Sequence, residues 1–282
     1  MKNVILADVD ITAHQDGVGG IAGENRGTVT NCHVLSGSVW GFVGVGGIVG
    51  NNARGVVENC SFKGSVAGNR NVGGVAGYNG AVAGMNGGTV KSSFSTGNVS
   101  SLEMMSSSRN VGGVVGSNNG GTVEDCYSTV TITNSGLTSS KGGVVGNNSG
   151  IVSRCYFAGV INIFSPWGGG GGIAGHNFGT VRNCVALSES ITTHDEALSV
   201  TNRVIGTEQG ASDTVVKQHN YANSAMTVNG SVVTGGAHDS LHGADITSTQ
   251  WNSAAWWSGT AGFSPAVWTL TNGALPKLAW ED

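Results

Sequence analysis

The sequence predicts an all-β chain: a right-handed parallel β-helix, or solenoid, of about seven to eight coils with a C-terminal Trp-rich cap. Three observations carry this. One motif recurs along most of the chain. Each copy holds three short apolar bursts rather than a helical face. Glycine and asparagine stand at fixed places between the bursts.

Gly19-Gly20-Ile21-Ala22-Gly23 returns as Gly46-Gly47-Ile48-Val49-Gly50 and Gly73-Gly74-Val75-Ala76-Gly77. It returns again as Gly112-Gly113-Val114-Val115-Gly116, Gly142-Gly143-Val144-Val145-Gly146 and Gly171-Gly172-Ile173-Ala174-Gly175. Start-to-start spacings are 27, 27, 39, 30 and 29 residues. A weaker seventh copy is Arg203-Val204-Ile205-Gly206. An Asn follows two places after the last Gly of each full copy: Asn25, Asn52, Asn79, Asn118, Asn148 and Asn177. Then comes Gly, a small or β-branched residue and Val, as in Gly179-Thr180-Val181. A polar residue and Cys close the unit, as in Asn31-Cys32 and Arg154-Cys155, with Ser92-Ser93 substituting once.

In the first unit the bursts lie near 29–34, near 39 and at 19–22. Each is too short for a helix, and Gly at this density costs a helix about 1 kcal/mol per residue relative to Ala. One unit cannot bury its own apolar face. Stacked units close a continuous core, with coils about 4.7–4.9 Å apart. Gly and Asn supply the positive φ needed between strands, and equivalent Asn side chains can hydrogen-bond along the stack. Parallel crossovers favour the right hand. A β-propeller blade needs about 40–50 residues, more than this period offers. The longer intervals then hold insertions at 81–87 and 100–110, the second carrying Met104 and Met105.

Composition narrows the function classes. The chain has 49 Gly in 282 residues, a formal charge of −4 and only 11% charged residues, against a usual level of about 25%. Nucleic-acid binding needs a clustered basic footprint, and none is present. No apolar run reaches the roughly 18–20 residues of a membrane span, so no membrane insertion is expected of this segment. Residues 1–6 do not read as a signal peptide.

The repeated Gly-Gly-Val-Val-Gly-x-Asn-x-Gly-x-Val-x-x-Cys unit resembles the GLUG repeat over about residues 16–186. The resemblance implies a scaffold like those of bacterial adhesin-like proteins and of the non-catalytic part of IgA-cleaving metallopeptidases. The His-Glu-x-x-His zinc helix of those peptidases is missing from this sequence, so the resemblance implies no peptidase activity. The array opens mid-repeat, because Asn3-Val4-Ile5-Leu6 aligns with Asn31-Cys32-His33-Val34. A solenoid normally carries end caps. The reading is therefore a piece of a longer chain.

Three regions are expected: the repeat helix over 1–206, a degenerate last coil over 207–229, and the cap over 230–282. The region from 207 onward holds five of the seven Trp: Trp251, Trp256, Trp257, Trp268 and Trp280. Large indoles cover the apolar end of a stack efficiently.

Cys32, Cys60, Cys126, Cys155 and Cys184 share one repeat position, so they should form an inward ladder of free thiols. Their Cβ atoms would stand about 4.8 Å apart, where a disulfide wants about 3.8 Å. His238 and His242 have a metal-like gap but sit in a Gly-rich stretch, and the glycine run at 168–172 lacks the Lys-Ser/Thr of a phosphate loop. The closest acidic pairs, Asp8 with Asp10 and Asp195 with Glu196, do not recur beside a base. No metal, cofactor or catalytic residue is expected.

Alternation gives one candidate site. If Cys points in, the next residue points out. That row reads Ile5, His33, Ser61, Phe94, Tyr127, Tyr156, Val185 and Tyr221. Phe94, Tyr127, Tyr156 and Tyr221 are the expected ligand-binding stripe; an aromatic ladder that only stiffens the sheet, or cover by the 100–110 loop or by the tail, is the alternative. The functional expectation is a non-catalytic, adhesin-like domain outside a bacterial cell, with a glycan or host surface protein as partner. A bare structural spacer and a polysaccharide-active β-helix enzyme are the alternatives.

Overall fold

The computed structural model describes residues 1–80, 87–101, 109–134, 139–164, 167–194, 198–210 and 215–282. Met104, Met105, Asp195 and Glu196 lie outside the described residues. The chain is a β-solenoid of three parallel sheets. Two sheets have seven strands each, stacked one coil per strand. One runs from Ala22–Asn25 to Ile205–Glu208, the other from Thr28–Thr30 to Val216–Gln218. The third is broad, with 21 strands among the described residues, the longest being Gly37–Gly46 and Ser61–Gly73. Seven rungs make six steps in the smaller sheets, slightly short of the seven to eight coils expected.

The register follows the motif. Val29, Val57, Val90, Val123, Val152 and Val181 lie on successive coils and are buried. All five Cys are free and buried, and Ser93 occupies their position on the coil between Cys60 and Cys126. Each thiol donates to the carbonyl two residues back, as Cys126 does to Glu124 O at 3.1 Å. Ser93 Oγ makes the same bond to Lys91 O at 2.8 Å, which explains why Ser fits this place. Burial pushes the Cys60 thiol up to about 12, and the Cys126 and Cys184 thiols upward as well.

The asparagines form a second ladder. The Nδ2 of Asn25, Asn52, Asn79, Asn118 and Asn148 each donates to Oδ1 of the next coil's Asn at 2.8 Å, ending on Asn177. All six side chains are buried, so each bond satisfies groups that water cannot reach.

Two local devices bend the coil. Where coils approach, only glycine fits: a Cβ on Gly46 would lie 2.1 Å from Val49 O and 2.8 Å from Gly77 N. Just before each Cys position the chain turns through the left-handed region. Asn3, Asn31, Asn59, Ser92, Asp125, Arg154, Asn183 and His219 all have φ between 46° and 58°. Asn and Asp tolerate this conformation; Arg and Ser are held there by the stack.

One inward row breaks its pattern. Val18, Val45, Val72 and Val111 are followed in register by Lys141 and then Gly170. Lys141 is fully buried and its ammonium nitrogen has no hydrogen-bond partner among the described residues. Burial lowers its pKa from 10.5 to about 7.

The region expected to cap the stack does two separate things. Leu241 packs on the core at the last coil, and its carbonyl accepts from Val204 N at 3.1 Å and Ile205 N at 3.0 Å. Arg203, fully buried, donates there to Asp245 Oδ1. The Trp-rich remainder does not sit on the end. Helices α1 (Ser248–Trp251) and α2 (Ala254–Gly259), a hairpin of Trp268–Thr269 with Lys277–Leu278, and a 3-10 turn at Ala279–Glu281 run back along the flank. Flat indoles cover a row of side chains as readily as a coil end, and the flank offers rings to stack on.

Candidate functional site

The outward row after Cys is in register across nine rungs: Ile5, His33, Ser61, Phe94, Tyr127, Tyr156, Val185, Tyr221 and Ala244. Where consecutive rungs carry rings, the rings stack. Phe94 and Tyr127 have centroids 4.7 Å apart at 11°, and Tyr127 and Tyr156 are 4.9 Å apart at 2°. That spacing is the coil repeat itself, so the solenoid imposes the stacking.

From Phe94 to Tyr221 the row is not open to solvent. Phe94, Tyr127, Tyr156 and Tyr221 are exposed by only 4%, 7%, 2% and 4%. The exposed stripe expected from alternation is therefore corrected: these four residues lie under the C-terminal segment. Alternation fixes which residues leave the coil, and the tail then covers them. They form one apolar cluster with Trp257, Ala261, Phe263, Trp268 and Leu278.

The segment grips the row where the row lacks a ring. Ser61 stands between His33 and Phe94, and Trp280 enters that gap, 5.0 Å from His33 and 5.6 Å from Phe94. Val185 leaves a second gap between Tyr156 and Tyr221. Trp257 lies 5.8 Å from Tyr156, Trp256 lies 5.1 Å from Tyr221, and the two indoles pack on each other.

Polar atoms are matched too. Tyr127 Oη donates to Glu281 Oε2 at 2.9 Å and Tyr156 Oη to Pro276 O at 2.7 Å. Trp280 Nε1 donates to Ser92 O at 2.8 Å, and Trp268 Nε1 to Asp125 Oδ1 at 3.2 Å. Asp125 also accepts from Arg154 Nε and Nη2, both at 2.8 Å. Ser92, Asp125 and Asn183, which holds Ala261 O at 3.2 Å, are left-handed corner residues. The corner thus turns the coil and presents polar groups to the tail. Burial raises the pKa of Tyr127, Tyr156 and Tyr221, keeping the phenols as donors.

The remaining candidates are dispersed. Asp8 and Asp10 hydrogen-bond Ser36 and Ser38 on the first two coils. His238 lies 6.0 Å from His219 beside an open cleft of about 500 Å³, while His242 Nδ1 faces Arg203 N. The glycine run ends a strand, Trp167–Gly171. Among the described residues no group of three or more His, Cys, Asp or Glu is placed to hold a metal ion. No helix among them is long and apolar enough to cross a membrane.

A second surface was missed at the sequence level. On the broad sheet Ser38, Ser65, Asn98 and Thr131 are in register on four successive coils. Two residues further along the strands of Asn98 and Thr131 a second row begins, running Ser100, Thr133, Asn162 and Thr192 over four coils. Both rows are exposed or half-buried. The signal was available in the alternation around Val66, Val99 and Ile132, whose buried side chains force their neighbours outward.

Comparison with known proteins agrees with the fold. The GLUG motif model matches residues 43–67 and 107–133. A crystal structure described as a "putative immunoglobulin A1 protease" from Bacteroides ovatus is similar, with a TM-score of 0.57 and 20% sequence identity, covering 100% of this chain and 75% of that one. No curated protein matches the chain.

Proposed function

We propose that this chain, whose GLUG-motif repeats wind into a β-solenoid, is a non-catalytic display rod outside a bacterial cell that offers its broad sheet to a glycan or a host protein. One observation carries the reading: the two polar rows of that sheet. They set short hydroxyl and amide side chains about 4.8 Å apart along the axis and, on the two strands that carry both rows, roughly 6.8 Å apart along the strand. Such a lattice offers many donors and acceptors to a hydroxyl-rich ligand. The similar solved structure, described as a "putative immunoglobulin A1 protease", supports a location outside the cell. The aromatic row supports this role from the side, by holding the C-terminal segment.

A stalk without a ligand of its own is the second reading. The covered aromatic row favours it, because the best stacking surface is already used within the chain. Arrays of glycans and host proteins probed with the 282-residue chain separate the two. Binding that falls roughly tenfold in Asn98→Ala/Asn162→Ala, with unchanged far-UV CD, supports display; binding that ignores both changes removes the proposed face. An array on which nothing binds leaves the stalk.

A further inference from the structure

The aromatic row on the flank is covered, but a second set of rings stays at the surface. Trp40 lies on the broad sheet in register with Ala67, Ser100, Thr133 and Asn162, so it continues the second polar row toward the first coils. Its neighbours Val39 and Gly41 are buried, whereas Trp40 is half-buried and belongs to neither apolar cluster. His14 stands 5.0 Å from it at 65° and Phe42 5.5 Å from it at 70°. Both contacts are T-shaped, so neither ring lies flat on the indole. Four coils on, Phe164 stands two residues past Asn162, as Phe42 stands two past Trp40. Its ring stacks on His194, 4.2 Å away at 2°, and remains 53% exposed. Between these two platforms the rows are neutral. Ser38, Ser65, Asn98 and Thr131 carry no charge, and neither do the residues from Ala67 to Asn162 in the other row.

We infer that this face binds a neutral oligosaccharide of several rings, lying along the solenoid axis with one sugar stacked on Trp40 and another on Phe164. The inference rests on the display reading and narrows its ligand. A pyranose has an apolar C–H face and a rim of hydroxyls. The face packs on a flat ring, and the rim needs short donors and acceptors beside that ring. Trp40 and the rows next to it supply both. Four coil steps put the platforms roughly 19 Å apart along the axis, more than a disaccharide spans, so the site selects for chain length. A sulfated or carboxylated glycan finds no opposite charge in these rows. A protein partner wants a contiguous apolar centre, which the rows lack.

Isothermal titration of the 282-residue chain with cellohexaose and mannohexaose, and with a heparin hexasaccharide as the charged probe, tests this. At least one neutral hexasaccharide should bind, with an affinity that changes less than about twofold between about 50 and 500 mM NaCl. The matching disaccharide should bind at least roughly tenfold more weakly, because it reaches one platform only. Trp40→Ala should weaken hexasaccharide binding at least roughly tenfold with unchanged far-UV CD, and Trp40→Phe should keep most of it. Phe164→Ala, at an exposed position, should narrow the gap between hexasaccharide and disaccharide, and it carries the test should Trp40→Ala fail to fold. Hexasaccharide binding that ignores Trp40→Ala and Phe164→Ala but falls in Asn98→Ala/Asn162→Ala overturns this inference and keeps the display reading. Preference for the heparin probe, or binding lost with salt, overturns it as well. So does no binding of either neutral hexasaccharide at about 1 mM, and the host-protein array then decides the display reading by itself.

Discussion

Two columns of this molecule are built from the same repeat and solved differently. The Asn column is complete in itself: each carboxamide satisfies the next, and all six are buried by their own coils. The aromatic column is incomplete. It has ring-free rungs at Ser61 and Val185, and its phenols find their acceptors only in the C-terminal segment. A periodic sequence can close its inside, because one coil's needs are met by the next. Its outside needs an aperiodic segment to cover it.

That contrast predicts separable stabilities. Trp268, 1% exposed, stacks near Tyr127 and Tyr156 and bonds Asp125. Trp268→Ala should cost about 3–5 kcal/mol, mostly by undocking the segment while the coils persist. Calorimetry should then show an early transition, with proteolysis at Lys277 ahead of the repeats; a single lowered transition would erase the contrast.

The next largest effect lies where the interior breaks its own rule. Lys141→Met should stabilise the solenoid by a few kcal/mol, since it removes an unpartnered buried amine. The sign with pH follows. The folded pKa of about 7 lies below the free value of 10.5, so between these the unfolded chain binds the extra proton. Stability therefore climbs as pH rises through that window and is flat below it on this account. Denaturant melts at pH 7 and pH 9.5 should show this climb in the wild type and lose most of it in Lys141→Met.

Asn118→Leu is the smaller test of the inner column. It removes the acceptor for Asn79 and the donor to Asn148, and should cost about 2 kcal/mol. Hydrogen exchange should quicken on the coils of Asn79 and Asn148 and not in the C-terminal segment.

Much of the fold was legible because the coils repeat. Matching Cys32, Cys60, Cys126, Cys155 and Cys184 places Phe94 on Tyr127 on Tyr156 by counting alone. Covering was not legible, because alternation says that Tyr156 leaves the coil and nothing about what meets it. Residues 247–282 have no second copy to align, so their path along the flank had no register to read. The clue was a mismatch: a ring column with gaps at Ser61 and Val185, beside a tail with indoles to spare. Lys141 was hidden by the opposite effect, since it stands directly before the Gly142-Gly143 pair that matches every other full copy.

The Asn column has one more consequence. Its carboxamides all point the same way, with nitrogen toward the later coil. Reversing one of them would bring two NH₂ groups together on one side and two oxygens on the other. The orientation is therefore a single choice shared by the whole row. A coil added or deleted by recombination inherits that choice from its neighbour, which lets such a chain change length without renegotiating its interior.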